Sequence, residues 1–355
     1  MVLLSPLYLL PYTIAVIADV DLVVPPARLG RWLADRGLTE DALVQIEQLS
    51  GGSSNLTFRV RSGIHDWVLR RPPATGVLPT AHDMVREHDI QHALADTAVP
   101  VARMVAACED HEVIGAPFYL MERVDGTIYA SADAIGALAA GDARAVSLAM
   151  ADTLAALHAV DPLAIGLGAL ARPEPFVDRQ LRRWEGQWER SRIADLPVLD
   201  DVFATLQRLR PEPGPPRIVH GDYNLANVMF SREHAGTVAA VLDWELTALG
   251  DALADLGALL AYWGAAGRLL FARRGGHLPD ANPGMASAAD LVERYAAATG
   301  VAPAELAFFE AMATAKLAVI CAGSMHRMTN HSAEQKAQTW RLITELSEIA
   351  AQTLR

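Results

Sequence analysis

Two short apolar runs, Val228–Phe230 and residues 238–242, enclose the polar segment 231–237. Apolar runs of this length on either side of a polar turn predict a β-hairpin. Asp222 and Asn227 stand before the first strand, and Asp243 closes the second. A hairpin here therefore carries two carboxylates and an amide to one edge. Three oxygen-bearing side chains converging on one point suit a hard cation such as Mg²⁺, which keeps several waters and is shared with substrate phosphates. Each residue alone is also what a turn or a helix cap would use. Their joint spacing argues for a site.

Composition narrows the class. The 355 residues suffice for one large or two moderate domains with a real core. With 30 Lys and Arg against 42 Asp and Glu, the net charge is −12. That balance argues against nucleic-acid binding, which leans on phosphate neutralisation. The two cysteines, Cys108 and Cys321, are far apart and form no CxxC pair, so neither a disulfide framework nor a zinc site is expected and a reducing cytoplasm is the default. Residues 2–18 are uncharged and mostly apolar, but Pro6 and Pro11 interrupt them and Asp19 and Asp21 follow at once. Residues 1–20 therefore read as an extension rather than a signal peptide or a stable membrane insertion. The sequence carries no signal that sets an oligomeric state.

The order His220-x-Asp222, then Asn227, then Asp243 sixteen residues on, resembles the catalytic loop and metal-binding aspartate of the protein-kinase-like superfamily. The wording His220-Gly221-Asp222 and Asp243-Trp244-Glu245 resembles the aminoglycoside phosphotransferase and choline kinase-like family, in particular the kinase domains fused to acyl-CoA dehydrogenases. The likeness covers roughly residues 50–263. It implies a bilobal α+β fold: a small lobe with an antiparallel sheet plus one main helix over 21–122, and a larger, mainly helical lobe over 123–355. It also implies ATP in the cleft between the lobes. Asp222 would accept the proton of a substrate hydroxyl, while Asn227 and Asp243 would hold Mg²⁺ against the phosphates. Catalysis would then be mostly positioning and charge neutralisation.

In the small lobe, residues 26–37 read as a helix with Leu29, Trp32 and Leu33 at helical spacing and Gly37 as its stop. Ser50, Gly51, Gly52 and Ser53 form a small-residue turn between strand-like segments, which lets backbone N–H groups approach phosphates. The strand at 67–71 carries Arg70 where the resemblance implies a lysine for the phosphates; the only lysines are Lys316 and Lys336. Residues 81–95 read as a helix with Val85, Ile90 and Leu94 broadly on one face. Taken alone, Glu87 on that helix reads as a solvated charge; by the resemblance it pairs with Arg70. The strand running through 118–126 would be the hinge, with Met121 behind the adenine and the Glu122 carbonyl and Val124 N–H on its edge.

In the large lobe, Leu148, Ala151, Leu154, Ala155 and His158 trace a buried stripe, with His158 read as structural. Residues 172–192 hold six arginines along with Trp184 and Trp188 one turn apart. Arg182, Arg183, Trp184 and Trp188 are candidate contacts for an anionic or adenine-bearing acceptor, and so is Glu245. The competing reading pairs the arginines with nearby acids on a solvated helix. Asp251 reads as a helix cap; by the resemblance it would also brace the catalytic loop, and Asp255 similarly. Lys316, His326, Arg327 and His331 could line an acceptor pocket, with nothing to give their direction.

The expectation is an ATP-dependent kinase that phosphorylates a hydroxyl on a small-molecule metabolite, with a hydroxyacyl-CoA-like acceptor as the candidate class. The alternatives are an aminoglycoside O-phosphotransferase, a nucleotide-binding pseudokinase, and a metal-dependent hydrolase built on His220, Asp222 and Asp243.

Overall fold

The computed structural model describes residues 20–49, 55–73, 83–272, 276–300, 305–327 and 332–355, with the side chains of 326 and 327 left aside. The expected extension, the Ser50–Gly51–Gly52–Ser53 turn and His331 lie outside these residues. The chain divides into two units. The smaller holds the described residues up to Asp96 plus Val101–Asp125, and the larger holds Thr97–Pro100 with Gly126–Arg355. The division thus falls three residues beyond the expected 122, and the short stretch 97–100 belongs to the larger unit.

The smaller unit is an antiparallel sheet in the order β1-β2-β3-β5-β4. Its strands are β1 Gln45–Gln48, β2 Leu56–Ser62, β3 His65–Arg71, β4 Met104–Cys108 and β5 Phe118–Glu122. β2 and β3 join through Gly63 and Ile64, where Gly63 adopts φ 56°. A two-residue hairpin turn needs such a positive φ, and glycine accepts it without cost. Helix α1, Pro26–Asp35, has Pro26 in its first turn, where the missing N–H costs nothing. It lays Leu29, Trp32 and Leu33 against Phe58, Val60, Leu69, Phe118 and Leu120. The Trp32 and Phe118 rings meet edge to face at 5.0 Å.

Helix α2, Met84–Leu94, is capped by Asp83, whose carboxylate accepts from the Arg86 N–H at 2.9 Å. Its buried face is Met84, Glu87, Ile90, Gln91 and Leu94. The expected stripe through Val85 is therefore rotated by about one position, and Val85 is only half-buried. Glu87, read alone as a solvated charge, is 1% exposed. Hydrophobic periodicity misses this face because two of its five members are polar.

Adjacent side chains on a strand point to opposite faces, and Arg70 and Arg71 show the consequence. Arg71 is buried and donates to the carbonyls of Ile114 (3.0 Å), Pro72 (3.2 Å) and Val23. Arg70 faces the other way, towards α2 and Glu87.

The larger unit is mainly helical. Its long helices are α3 Ala140–Ala159, α4 Phe176–Ser191, α5 Pro197–Leu209, α6 Leu253–Trp263, α7 Ala288–Thr299, α8 Leu306–Arg327 and α9 Ala333–Thr353. α3 is buried on most of its sides, and Leu148 of the expected stripe is the half-buried member. α8 is long and apolar enough to cross a membrane by composition, yet 78% of its apolar window is buried within the fold. It packs chiefly on α9, α6 and α4, and more lightly on α5.

Two small sheets position the chemistry. β6 Thr127–Ile128, β8 Val228–Phe230 and β9 Val238–Val241 form one; β7 Arg217–Val219 and β10 Ala248–Gly250 form the other. The hairpin expected from the sequence is β8–β9, with Val228 opposite Val241. Leu242 leaves the ladder, because its N–H turns to the Asn227 carbonyl at 2.8 Å.

The two arginines of β3 make a testable contrast. Arg71→Met orphans buried carbonyls and is expected to lower the unfolding free energy by about 3 kcal/mol in urea titration. Arg70→Met is expected to cost clearly less in the same measurement.

Candidate active site

The chain enters the site from β7, and the next three residues, His220-Gly221-Asp222, are held from both sides. Their amides point at one buried carboxylate. Asp255 of α6 accepts from the His220 N–H at 2.6 Å and from the Gly221 N–H at 2.8 Å. His158 reaches the same carboxylate at 3.5 Å, and its Nδ1 lies 2.8 Å from the Tyr295 hydroxyl. Burial pushes the Asp255 carboxyl up, but His158, His220 and the amides outweigh it, leaving it below the usual carboxylate range. The bracing foreseen for Asp251 therefore falls to Asp255. Asp251 instead accepts from the Leu253 N–H at 2.9 Å in a turn just ahead of α6, whose N-cap position is Ala252 rather than Asp251.

Gly221 has φ 86°, and a Cβ there would stand 2.8 Å from the Leu246 carbonyl oxygen. Both facts require glycine at this position. His220 is fully buried, with Nε2 2.9 Å from the Leu242 carbonyl and Nδ1 3.2 Å from the Asp222 N–H. A carbonyl only accepts and an amide N–H only donates, so the ring is the Nε2–H tautomer. It ties the loop to the end of β9.

Asp222 is half-buried. Asn227 Nδ2 donates to its carboxylate at 3.1 Å and to its carbonyl at 2.8 Å, and the Tyr262 hydroxyl lies 3.4 Å away. Because only the amino end of Asn227 can serve two acceptors, its Oδ1 is the atom left for a cation. Burial is the largest influence on the Asp222 carboxyl and raises it above the usual range, with Asp243 adding to the rise and Lys316 opposing it. Asp243 has φ 66°, the one non-glycine residue with positive φ among the described residues. Such a conformation costs roughly 1–2 kcal/mol and recurs at functional sites. It directly precedes the single turn Trp244–Leu246, in which Glu245 is half-buried. Two carboxylates and an amide oxygen fit Mg²⁺ in kind and number.

Lys316 of α8 donates from Nζ to the Gly221 carbonyl at 2.8 Å. Its ammonium lies 5.7 Å from the centre of the Trp184 ring, over which Arg183 also stands at 5.1 Å. This gives Lys316 the direction that the sequence left open.

The other acceptor candidates fare differently. Trp188 is 1% exposed and donates to Asp200 at 2.8 Å; Trp184 is 3% exposed and donates to Gln180 at 3.2 Å. Both belong to the core, because α4 turns its aromatic stripe inward, and neither offers a free face to an acceptor. Arg182 points outward and pairs with Glu174. Arg192 pairs with Asp200 at 2.9 Å. Of the expected basic and aromatic surface, Arg182 and Arg192 are thus ion-paired, Arg172 and Arg179 donate to backbone carbonyls, and Arg183 stands over Trp184.

In the smaller unit, Arg70 Nε lies 3.5 Å from Glu87. The Tyr119 hydroxyl donates to Glu87 at 3.1 Å, and Asn55 Nδ2 lies 3.4 Å from it. Met121 packs against the buried cluster of Met84, Ala102, Met104 and Tyr119. Glu122 is exposed and donates its N–H to the Arg103 carbonyl at 2.8 Å; Val124 is half-buried and its N–H has no backbone partner among the described residues.

Sequence reasoning passed over Tyr262, Tyr119 and Asn55, which no motif marks, and weighed Asp251 level with Asp255, since both are aspartates near one helix start. A cavity of about 510 Å³ lies between the start of α4 and the 211–216 connector, lined by Phe176, Arg179, Pro213 and Asp251 among others. None of Asp222, Asn227 and Asp243 lines it.

The model of the phosphotransferase enzyme family, APH, matches residues 45–309. The chain belongs to that family. Among curated relatives, acyl-CoA dehydrogenase family member 11 of Mus musculus is 33% identical across 94% of this chain, and that of Rattus norvegicus 31% across 93%. The chain spans only 43% and 42% of those proteins. Among solved structures, a Ralstonia eutropha protein provisionally called an aminoglycoside phosphotransferase is 31% identical, with TM-score 0.77 over 92% of this chain and 97% of that one. A thermostable aminoglycoside phosphotransferase APH(4)-Ia, solved with ADP and hygromycin B, shares the fold at 14% identity and TM-score 0.59, over 92% of this chain and 98% of that one. The bilobal kinase-like α+β fold expected from the sequence agrees with these likenesses.

The two amides bond to different oxygens of Asp255, so Asp255→Asn sets its NH2 group against one of the two backbone N–H groups, and it is expected to cost roughly 2 kcal/mol of stability at neutral pH. A carboxyl lowered by folding stabilises above its unfolded pKa and loses that contribution as pH falls through its folded one. Unfolding titrations should therefore show part of the wild-type acid loss below about pH 4 missing in the variant.

Proposed function

We propose that this protein transfers the γ-phosphoryl group of ATP to a hydroxyl of a small-molecule metabolite, hydroxyacyl-CoA-like in character. The observation that carries this reading is the clamp on Asp222: Asn227 holds its carboxylate and carbonyl through Nδ2, which leaves Oδ1 for a cation. Asp222 accepts the proton of the acceptor hydroxyl as that oxygen attacks phosphorus. Its raised carboxyl suits a base that works near neutral pH. Asn227 and Asp243 would hold Mg²⁺, which supplies charge neutralisation at the phosphate oxygens. Arg70, oriented by Glu87, offers a fork to the phosphates, and the Glu122 carbonyl and Val124 N–H take the adenine edge. Tyr262 keeps Asp222 from rotating away.

The nucleotide reading is supported by neighbours of the same fold solved with ADP and with AMP-PNP. The acyl-CoA link is supported by relatives named as acyl-CoA dehydrogenases. A polycationic aminoglycoside suits the site less well, because Lys316 contacts the residue next to Asp222. Cys108 and Cys321 are buried and not joined in a disulfide, which fits a cytoplasmic enzyme.

The test is ADP release with Mg²⁺-ATP across hydroxyacyl-CoA esters, aminoglycosides, choline-like alcohols and sugars. Release should depend on one acceptor class, and Asp222→Asn should cut kcat by about 10²-fold or more. ATP binding without release for any acceptor would instead favour a nucleotide-binding pseudokinase.

A further inference from the structure

Lys316 and Arg183 form a cationic pair beside the catalytic loop that the chemistry above does not use. Lys316 Nζ has three donors, and one is engaged, by the Gly221 carbonyl. Arg183 Nη2 is buried with no hydrogen-bond partner, and no carboxylate lies within ion-pair distance of Arg183 among the described residues. Both cations lie on the indole of Trp184, and Trp184 is itself buried in the core, so the platform beneath them is rigid.

The charges do not balance. Asp255 is spent on two amides and His158. Asp222 is committed to Asn227 and Tyr262. Burial is the main influence lowering the Lys316 ammonium; Asp222 opposes it, and the nearby Arg183 charge adds to it. Two like charges are therefore close enough to repel each other in a sheltered place, and one of them presents an unfilled donor. An anion is the ligand that relieves both conditions at once. A structural role for Arg183 would have filled Nη2 with a carbonyl or a carboxylate, as Arg71 does elsewhere in this chain.

We propose that Arg183 and Lys316 form a subsite for an anionic oxygen group, phosphate or carboxylate, carried by the phosphoryl acceptor close to its reacting hydroxyl. The inference rests on the kinase reading for the identity of the ligand, but not for the existence of the subsite. Arg183 supplies the fork, Lys316 a point charge, and the Gly221 contact sets the subsite one residue from the base. An acceptor held there at its anion presents a neighbouring hydroxyl to Asp222. The site then selects acceptors that carry such an anion, CoA esters with their phosphates among them, over neutral and cationic alcohols.

The experiment uses the full chain with saturating Mg²⁺-ADP present, and follows thermal unfolding against inorganic phosphate and against acetate, with chloride at equal ionic strength as the reference. Wild type should be stabilised by at least one of the two anions beyond chloride, and the better anion tells phosphate from carboxylate. Arg183→Met should lose that response, while Arg183→Lys, which keeps the charge without the fork, should fall between. Met removes a buried charge, so the variant is expected to fold, and Arg183→Lys covers the case in which it does not. With the acceptor found by the ADP-release panel, Arg183→Met should raise the acceptor KM by about tenfold or more, with the KM for ATP unchanged. No anion response in wild type, an equal response in Arg183→Met, or a rise in the KM for ATP instead of the acceptor would each overturn the proposal. An Arg183-dependent anion response in a protein that releases no ADP with any acceptor would uphold the subsite and remove the kinase reading alone.

Discussion

The carboxylate of Asp255 governs the site. It receives two successive backbone amides from His220 and Gly221, and only a loop that turns sharply at a glycine can present them together. Gly221 with φ 86° makes that turn. A buried carboxylate is costly unless its oxygens are filled, so loop and helix hold each other: without the amides Asp255 would be an unsatisfied charge, and without Asp255 the amides would be orphaned. Asp222 is carried to its position by this exchange.

The same loop is gripped from the opposite side. Lys316 of α8 takes the Gly221 carbonyl, so the N–H and C=O of one glycine are assigned to two different helices. α8 is apolar and mostly buried, and it packs against α6. A long, rigid core helix is a suitable carrier for a charge that must stay within a narrow distance. The protein as a whole is acidic, yet the groups near Asp222 include the Lys316 cation, with Arg183 beside it on Trp184. Net charge therefore describes the solvated surface here and is a poor guide to the site.

Legibility from the sequence followed the range of the interactions. The β8–β9 hairpin, helix α1 and strands β3 and β5 were readable because periodicity and turn residues act within a few positions. The meeting of Asp222 and Asn227 was readable because their spacing is short. Glu87 was legible only through the resemblance; on its own it reads as a surface charge, and it is buried because Tyr119, Asn55 and Arg70 reach it from other strands. Trp184 and Trp188 misled for the opposite reason. Beside six arginines they look like a binding surface, but α4 has two faces, and the indoles turn inward while Arg182 and Arg192 find carboxylates and Arg172 and Arg179 find backbone carbonyls.

The sequence by itself determined the elements and the order in which Asp222, Asn227 and Asp243 follow one another, since hairpin and helix patterns and that spacing depend on near neighbours. Tertiary structure alone decided which of two aspartates braces the loop, which of two adjacent arginines faces Glu87, and where Lys316 points. Those choices turn on contacts between residues up to 95 positions apart. The free energy that decides them, the desolvation of a charge against the partners that meet it, exists only once the chain has closed around it.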